Sequence, residues 1–117
     1  MMEARAIAKS VGMSPRKVRL VVDLIRGRNV NEAYSILKFS KKAATDPVTK
    51  VLRSAVANAQ QKADEEGSFL DADELYVREA YVNEGPRLRR FRAAAMGRAA
   101  PRIKRTSQVT IVVDRKE

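Results

Sequence analysis

Residues 75–113 read LYVREAYVNEGPRLRRFRAAAMGRAAPRIKRTSQVTIVV, and what this stretch becomes decides the architecture of the chain. Its two ends are strand-like. Leu75 to Val82 is rich in Tyr and Val, and Thr106 to Val113 carries Val109, Ile111 and Val113 on one face of an extended segment. Glu84-Gly85-Pro86 interrupts the first pattern. The middle is ambiguous on local grounds. Arg, Ala, Leu and Met favour helix, with Gly97 as a cap. The alternative is a long hairpin joining the two strands, with its tip near Gly97. Taken as strands, the first arm is basic on both faces, with Arg87 and Arg89 on one and Arg90 and Arg92 on the other. Such an arm has no apolar face to bury against its own protein and makes sense when polyanion surrounds it. In isolation a loop this dense in charge is expected to be disordered and to order on binding.

Upstream, Ala4 to Val11 reads as a strand with Ile7 and Val11 on one face and small alanines on the other. Ser14-Pro15 is a helix start, serine at the cap and proline at the first helical position. Apolar residues at Val18, Val21, Val22 and Ile25 then mark one helical face, and Gly27 sits where the helix ends. Asn29-Val30-Asn31-Glu32 has capping-box spacing for a short second helix with a stripe of Ala33, Ile36 and Leu37. A third helix carries Val48, Val51, Leu52, Ala55, Val56 and Ala59 on one face and ends before Gly67. It starts either at Asp46-Pro47 or earlier, at Lys41, with Pro47 inside its first turns. The order is strand, three helices, then two strands around the basic segment. That order predicts an α+β fold, three helices packed on an antiparallel sheet.

The chain has 117 residues, of which 44% are apolar, enough for one folded domain. No apolar run is long enough to span a bilayer, and the first residues carry no signal-peptide pattern, so a mature, cytoplasmic protein is expected. There are no cysteines and no histidines. Thiolate chemistry, disulfides, the commonest general base and the commonest metal ligand are thereby removed. No catalysis and no cofactor are expected. The formal net charge is +10, which points to polyanionic partners. Residues 85–105 hold eight basic residues and no acidic one, while the other 96 residues hold sixteen basic and fourteen acidic, a net of +2.

The first helix carries a second cationic feature. Arg16, Arg19, Asp23 and Arg26 share a sector opposite Val18, Val21 and Ile25. One reading is a solvated face with Asp23 pairing Arg19 or Arg26. The other is a phosphate-contacting face built from Arg16, Lys17, Arg19 and Arg26. Two cations in the first turn oppose the helix dipole, which suggests an external anion. Phe91 is the only aromatic in the basic segment, so no base-stacking platform stands out, and phosphate and shape contacts are expected to dominate. No Gly-rich phosphate loop is present.

Taken together the motifs resemble a known family. Residues 14–27, SPRKVRLVVDLIRG, look like the first-helix signature of the twenty-second large-subunit ribosomal protein family, in its bacterial form. Residues 51–59, VLRSAVANA, resemble its long helix, and 75–86, LYVREAYVNEGP, its strand entering a hairpin. Gly97-Arg98-Ala99 and residues 104–110, KRTSQVT, resemble the tip and the return strand. The resemblance implies a globular α+β body (1–84 and 106–117) near the peptide exit and a long protruding basic β-hairpin (85–105). That hairpin would thread through 23S ribosomal RNA and line the nascent-peptide tunnel, and the protein would act in subunit assembly. Arg87, Arg89, Arg90, Arg92, Arg102, Lys104 and Arg105 would contact RNA along the shaft. Met96, Gly97 and Arg98 would meet the tunnel and the nascent peptide, near the macrolide-binding region. Neighbouring large-subunit proteins would be partners; no membrane and no homo-oligomer are expected. The chain departs from the family in having Ala93-Ala94 where Pro-Arg is common, which removes a tip cation. It also has Gln108 where His is common, which removes a pH-dependent charge.

Two readings compete. A DNA-architectural protein would use the basic arm to bend duplexes, with Met96 as its wedge. A carboxylate enzyme would use Glu74 and Glu79, but nothing in the sequence places those two in a pocket.

Overall fold

A computed structural model describes residues 3–68, 70–85, 88–93 and 99–115. Strands β1 (Ala4–Val11), β2 (Leu75–Glu84) and β5 (Ser107–Arg115) form an antiparallel sheet in the order β1-β5-β2. Helices α1 (Pro15–Ile25), α2 (Val30–Phe39) and α3 (Thr45–Glu65) pack on one face of it. Strands β3 (Leu88–Ala93) and β4 (Ala99–Lys104) pair with each other in a separate two-stranded ribbon. The fold is α+β, and the ambiguous basic stretch is a ribbon, not a helix. Its ends explain why. β2 and β5 are neighbours in register down to Glu84↔Ser107, and the Gly85 N–H donates to the Thr106 carbonyl at 2.9 Å. The chain therefore leaves and re-enters the body already held as a hairpin. The ribbon stretches the molecule to 66 × 28 × 16 Å, with a radius of gyration of 17.6 Å. A compact chain of this length would have a radius near 13 Å.

α1 follows the expected pattern. Pro15 takes the first helical position, although the Ser14 side chain makes no cap bond. Val18, Val21, Val22 and Ile25 are all fully buried. The helix stops at Gly27, whose φ of +78° only glycine adopts freely, and whose N–H donates to Val77 O at 2.9 Å. In α2, Asn29 accepts from the Asn31 N–H as a cap, while Glu32 pairs with Arg28 at 2.9 Å. Arg28 is the closer attraction for Glu32, so only half of the capping box forms. α3 starts between the two expected points. Thr45 Oγ1 donates to Lys42 O, and Pro47 falls in the first turn, where no intrahelical N–H is required. Its stripe of Val48, Val51, Leu52, Ala55, Val56 and Ala59 is buried, each fully buried Val or Leu contributing roughly 1.5–3 kcal/mol.

β5 is the central strand and is buried on both faces. Val109, Ile111 and Val113 join the core, and Thr110, Val112 and Asp114 are covered on the other side. In β1 the alanines face the helices, because α3 lies close above, and Ile7 is exposed (41%). Val11 does not stay on the Ile7 face. The ladder slips between Ala8 and Val11, so both pack against the core. An alternation read from sequence cannot anticipate such a bulge.

The sheet has two edges, and both are guarded. On β2, Val77 exchanges bonds with Gly27 and Arg28, and Arg26 and Arg19 donate to the carbonyls of Ala80 and Val82. On β1, Lys62 donates to Glu3 O and Asn58 to Arg5 O, both at 3.0 Å. Unpaired strand edges invite pairing with other chains, and cationic side chains are a common guard.

Candidate nucleic-acid interface

The element directions bring cations together. α1 begins beside the ribbon root, where Ser107 Oγ donates to Met13 O. α3 runs antiparallel to β1, so its start also lies at that end, against Ala6 to Ala8, and its finish lies by Glu3. α2 starts at the far end, where Asn29 donates to Asp73 O, and ends near Thr45. The ribbon end of the body thus collects exposed Arg16, Lys17, Lys38, Lys41, Lys42, Lys50 and Arg105. The opposite end carries Asp64, Glu65, Glu66, Asp71, Asp73 and Glu74, six carboxylates with no cation between them in sequence. The five lysines lie on α1, on α2, in the α2–α3 loop and on α3, so only the fold gathers them.

The cationic face of α1 divides in two. Arg16 and Lys17 are exposed and make no side-chain bond among the described residues. Arg19 lays Nε and Nη2 on Val82 O at 3.2 and 3.0 Å, and Arg26 lays the same atoms on Ala80 O at 3.0 and 2.6 Å. Asp23 pairs with Arg26, Nη1 to Oδ1 at 2.9 Å. Arg19 and Arg26 therefore have a structural task that the helical wheel did not reveal. A guanidinium has five donors, so both keep some for an external acceptor.

In the ribbon, Leu88 pairs with Lys104, Arg89 with Ile103, Arg90 with Arg102 and Arg92 with Ala100. The register thus sets two arginines, Arg90 and Arg102, at directly opposed positions. Arg105 is exposed at the root. Arg87, Met96, Gly97 and Arg98 lie outside the described residues, as does Ala94; Ala93 ends β3 opposite Ala99. Gln108 is half-buried in β5, opposite Asn83.

Nothing in this arrangement suggests catalysis by Glu74 and Glu79. Glu74 is exposed and sits 3.4 Å from Arg115, and Glu79 is exposed on β2. Among the described residues no cluster of acidic side chains could hold a metal ion, and no helix is long and apolar enough to cross a membrane.

A helix-on-sheet body with a cation-rich end that continues into a basic two-stranded ribbon defines an α+β protein with one strongly cationic end. Residues 6–114 match the family described as Ribosomal protein L22p/L17e, and the chain belongs to that family. It is 58% identical to the large ribosomal subunit protein uL22 of Clostridium novyi over 112 residues, 96% of each chain. It is 56% identical to that of Desulfitobacterium hafniense over 117 residues, covering 100% of this chain and 98% of the relative. It is 55% identical to that of Bifidobacterium animalis over 116 residues, 99% and 98% of the two chains. These relatives are ribosomal proteins rather than enzymes.

Proposed function

We propose that this chain is a structural constituent of the large ribosomal subunit in the cytoplasm. In this reading it binds 23S ribosomal RNA, aids subunit assembly and lines the nascent-peptide exit tunnel with its hairpin. The observation that carries the reading is the ribbon. It sets Arg90 opposite Arg102 in a two-stranded sheet separate from that of the body, which suits a surround of phosphate. Membership of a ribosomal protein family over nearly the whole chain supports it.

The body (1–84 and 106–117) and the hairpin (85–105) divide the work. Arg16 and Lys17 make the first phosphate contacts, assisted by the free donors of Arg19 and Arg26. Arg87, Arg89, Arg90, Arg92, Arg102, Lys104 and Arg105 anchor the shaft in RNA. Met96, Gly97 and Arg98 meet the tunnel and the nascent peptide. The body also touches neighbouring large-subunit proteins.

Two variants test this division. Deleting residues 96–98 is expected to leave incorporation into large subunits intact, because the shaft cations remain, and to change macrolide sensitivity or nascent-chain stalling. Replacing Arg89, Arg90 and Arg92 with Glu is expected to impair incorporation. Subunit occupancy by sedimentation decides. A tip deletion that abolishes incorporation, or a shaft variant that assembles normally, overturns the reading.

A further inference from the structure

A cleft of about 670 Å³ opens at the corner where α2 ends and α3 begins. None of its lining residues belongs to the ribbon or to α1. Tyr34 and Leu37 line it as apolar surfaces, and Lys38 and Arg53 line it as cations. Tyr34 is half-buried; burial raises its hydroxyl pKa, and the Arg53 guanidinium pulls the other way, so the two groups sense each other. Thr45 and Thr49 also line the cleft. Their hydroxyl protons are already committed, to Lys42 O at 2.8 Å and Thr45 O at 2.6 Å, which leaves oxygen lone pairs as acceptors. Asp46 adds a carboxylate acceptor. Immediately outside, Phe39 is 79% exposed, with exposed Lys41 and Lys42 just beyond it.

We propose that this corner binds an unpaired nucleotide of RNA, its base against Tyr34 and Leu37 and its phosphates on Arg53, Lys38, Lys41 and Lys42. Phe39 then offers a second surface for the adjoining base. The inference rests on the RNA-binding reading and extends it from phosphate and shape contact to contact with bases. Size and composition favour a nucleotide over a simple anion. The cleft is large enough for a group well beyond an inorganic anion, and such an anion has no use for the ring of Tyr34. The acceptors favour it over an acidic peptide. Base N–H groups and the 2′-hydroxyl can donate to Thr45, Thr49 and Asp46, whereas the carboxylates of an acidic peptide bring these acceptors no proton. Aromatic side chains flanked by cations are the usual means of holding unstacked bases.

The test uses the full chain with large-subunit ribosomal RNA, and with pentauridylate as the unpaired probe. Ultraviolet crosslinking followed by peptide mass spectrometry is expected to place a nucleotide on residues 34–42. Tyr34→Leu keeps the apolar volume and is expected to weaken pentauridylate binding by roughly five- to 150-fold, the range for losing one stacked base. Arg53→Gln is expected to lower the slope of log affinity against log salt by about 0.7. Circular dichroism checks that each variant folds; if Tyr34→Leu does not, the crosslink on the unaltered chain and the Arg53→Gln slope decide. Folded variants that bind pentauridylate as the unaltered chain does, with no crosslink in residues 34–42, overturn the inference. So does inorganic phosphate that displaces pentauridylate as effectively as uridine monophosphate. In both cases continued binding of ribosomal RNA leaves the broader reading standing. Failure of the unaltered chain to bind ribosomal RNA at all sinks that reading, and this inference with it.

Discussion

Replacing Arg19 and Arg26 separates holding the fold from holding RNA. Each guanidinium places two hydrogen bonds on one carbonyl of the β2 edge. A hydrogen bond to a charged group contributes about 1.5–3 kcal/mol in a protected setting. Here the setting is open, since the Arg26 side chain is 48% exposed. The carbonyl released by truncation can also turn to water, so no full desolvation cost is left behind. Discounting for both, Arg19→Ala and Arg26→Ala each cost about 1 kcal/mol, and the double variant about 2 kcal/mol. Against a typical total of about 5–15 kcal/mol that loss is easily measured. Arg16→Ala is the control, because Arg16 makes no side-chain bond among the described residues. Lysine replacements keep the charge but not the fork, and should recover less than half of the loss. Urea unfolding reads the result as a lower midpoint at unchanged slope. In RNA binding, Arg16→Gln should lower the salt dependence without moving the urea midpoint, whereas Arg19→Gln should move both. A double alanine variant within about 0.3 kcal/mol of the parent would refute the edge-capping argument.

The core and the ribbon root offer further tests. Leu52→Ala empties a fully buried site on α3 and should cost about 2–5 kcal/mol in chemical denaturation. Gly85→Ala would bring a Cβ to 2.6 Å from Thr106 Oγ1 and 3.3 Å from the Thr106 backbone. Thr106 is buried and β-branched, so this variant should lose about 1–3 kcal/mol, and amide shifts should concentrate at residues 84, 85, 106 and 107. Ultraviolet titration should find Tyr34, isolated by difference against Tyr34→Phe, ionising above the ordinary tyrosine value of 10. Because burial raises the folded pKa of Tyr34, the folded state holds its proton longer than the unfolded chain. Its contribution to stability is therefore complete below pH 10 and declines as pH rises beyond it.

Regular periodicity was legible in the amino-acid order, and geometry between distant segments was not. The stripes at Val18–Ile25 and Val48–Ala59 matched buried faces because a helix of fixed pitch leaves no other choice. The strand ends of residues 75–113 could be read, but their basic middle could not, since Arg and Ala suit a helix as well as a ribbon. The pairing of β2 with β5 settles it from outside the segment. The partner of Arg19 was invisible for a related reason. Only when β2 is known to be an edge strand beside α1 does the carbonyl of Val82, 63 positions away, become an acceptor. The α2–α3 corner is not legible in the sequence, because Tyr34 and Arg53 lie on separate helices and outside the apolar stripe of either.

The unequal ends of the body have a consequence for how the protein arrives at its target. Cations gather by the ribbon and carboxylates at the other end, with the 21 residues of α3 spanning roughly 30 Å between. In the field of a polyanion such a molecule experiences torque before it touches anything. Encounters that begin with the carboxylate end are turned away, and those that begin with the ribbon are drawn in. A slender ribbon projecting from the cationic end gains most from such alignment, because the search over orientations is largely over at first contact. The advantage resides in the rate of capture rather than in the strength of the final complex, and it fades as added salt shortens the reach of the field.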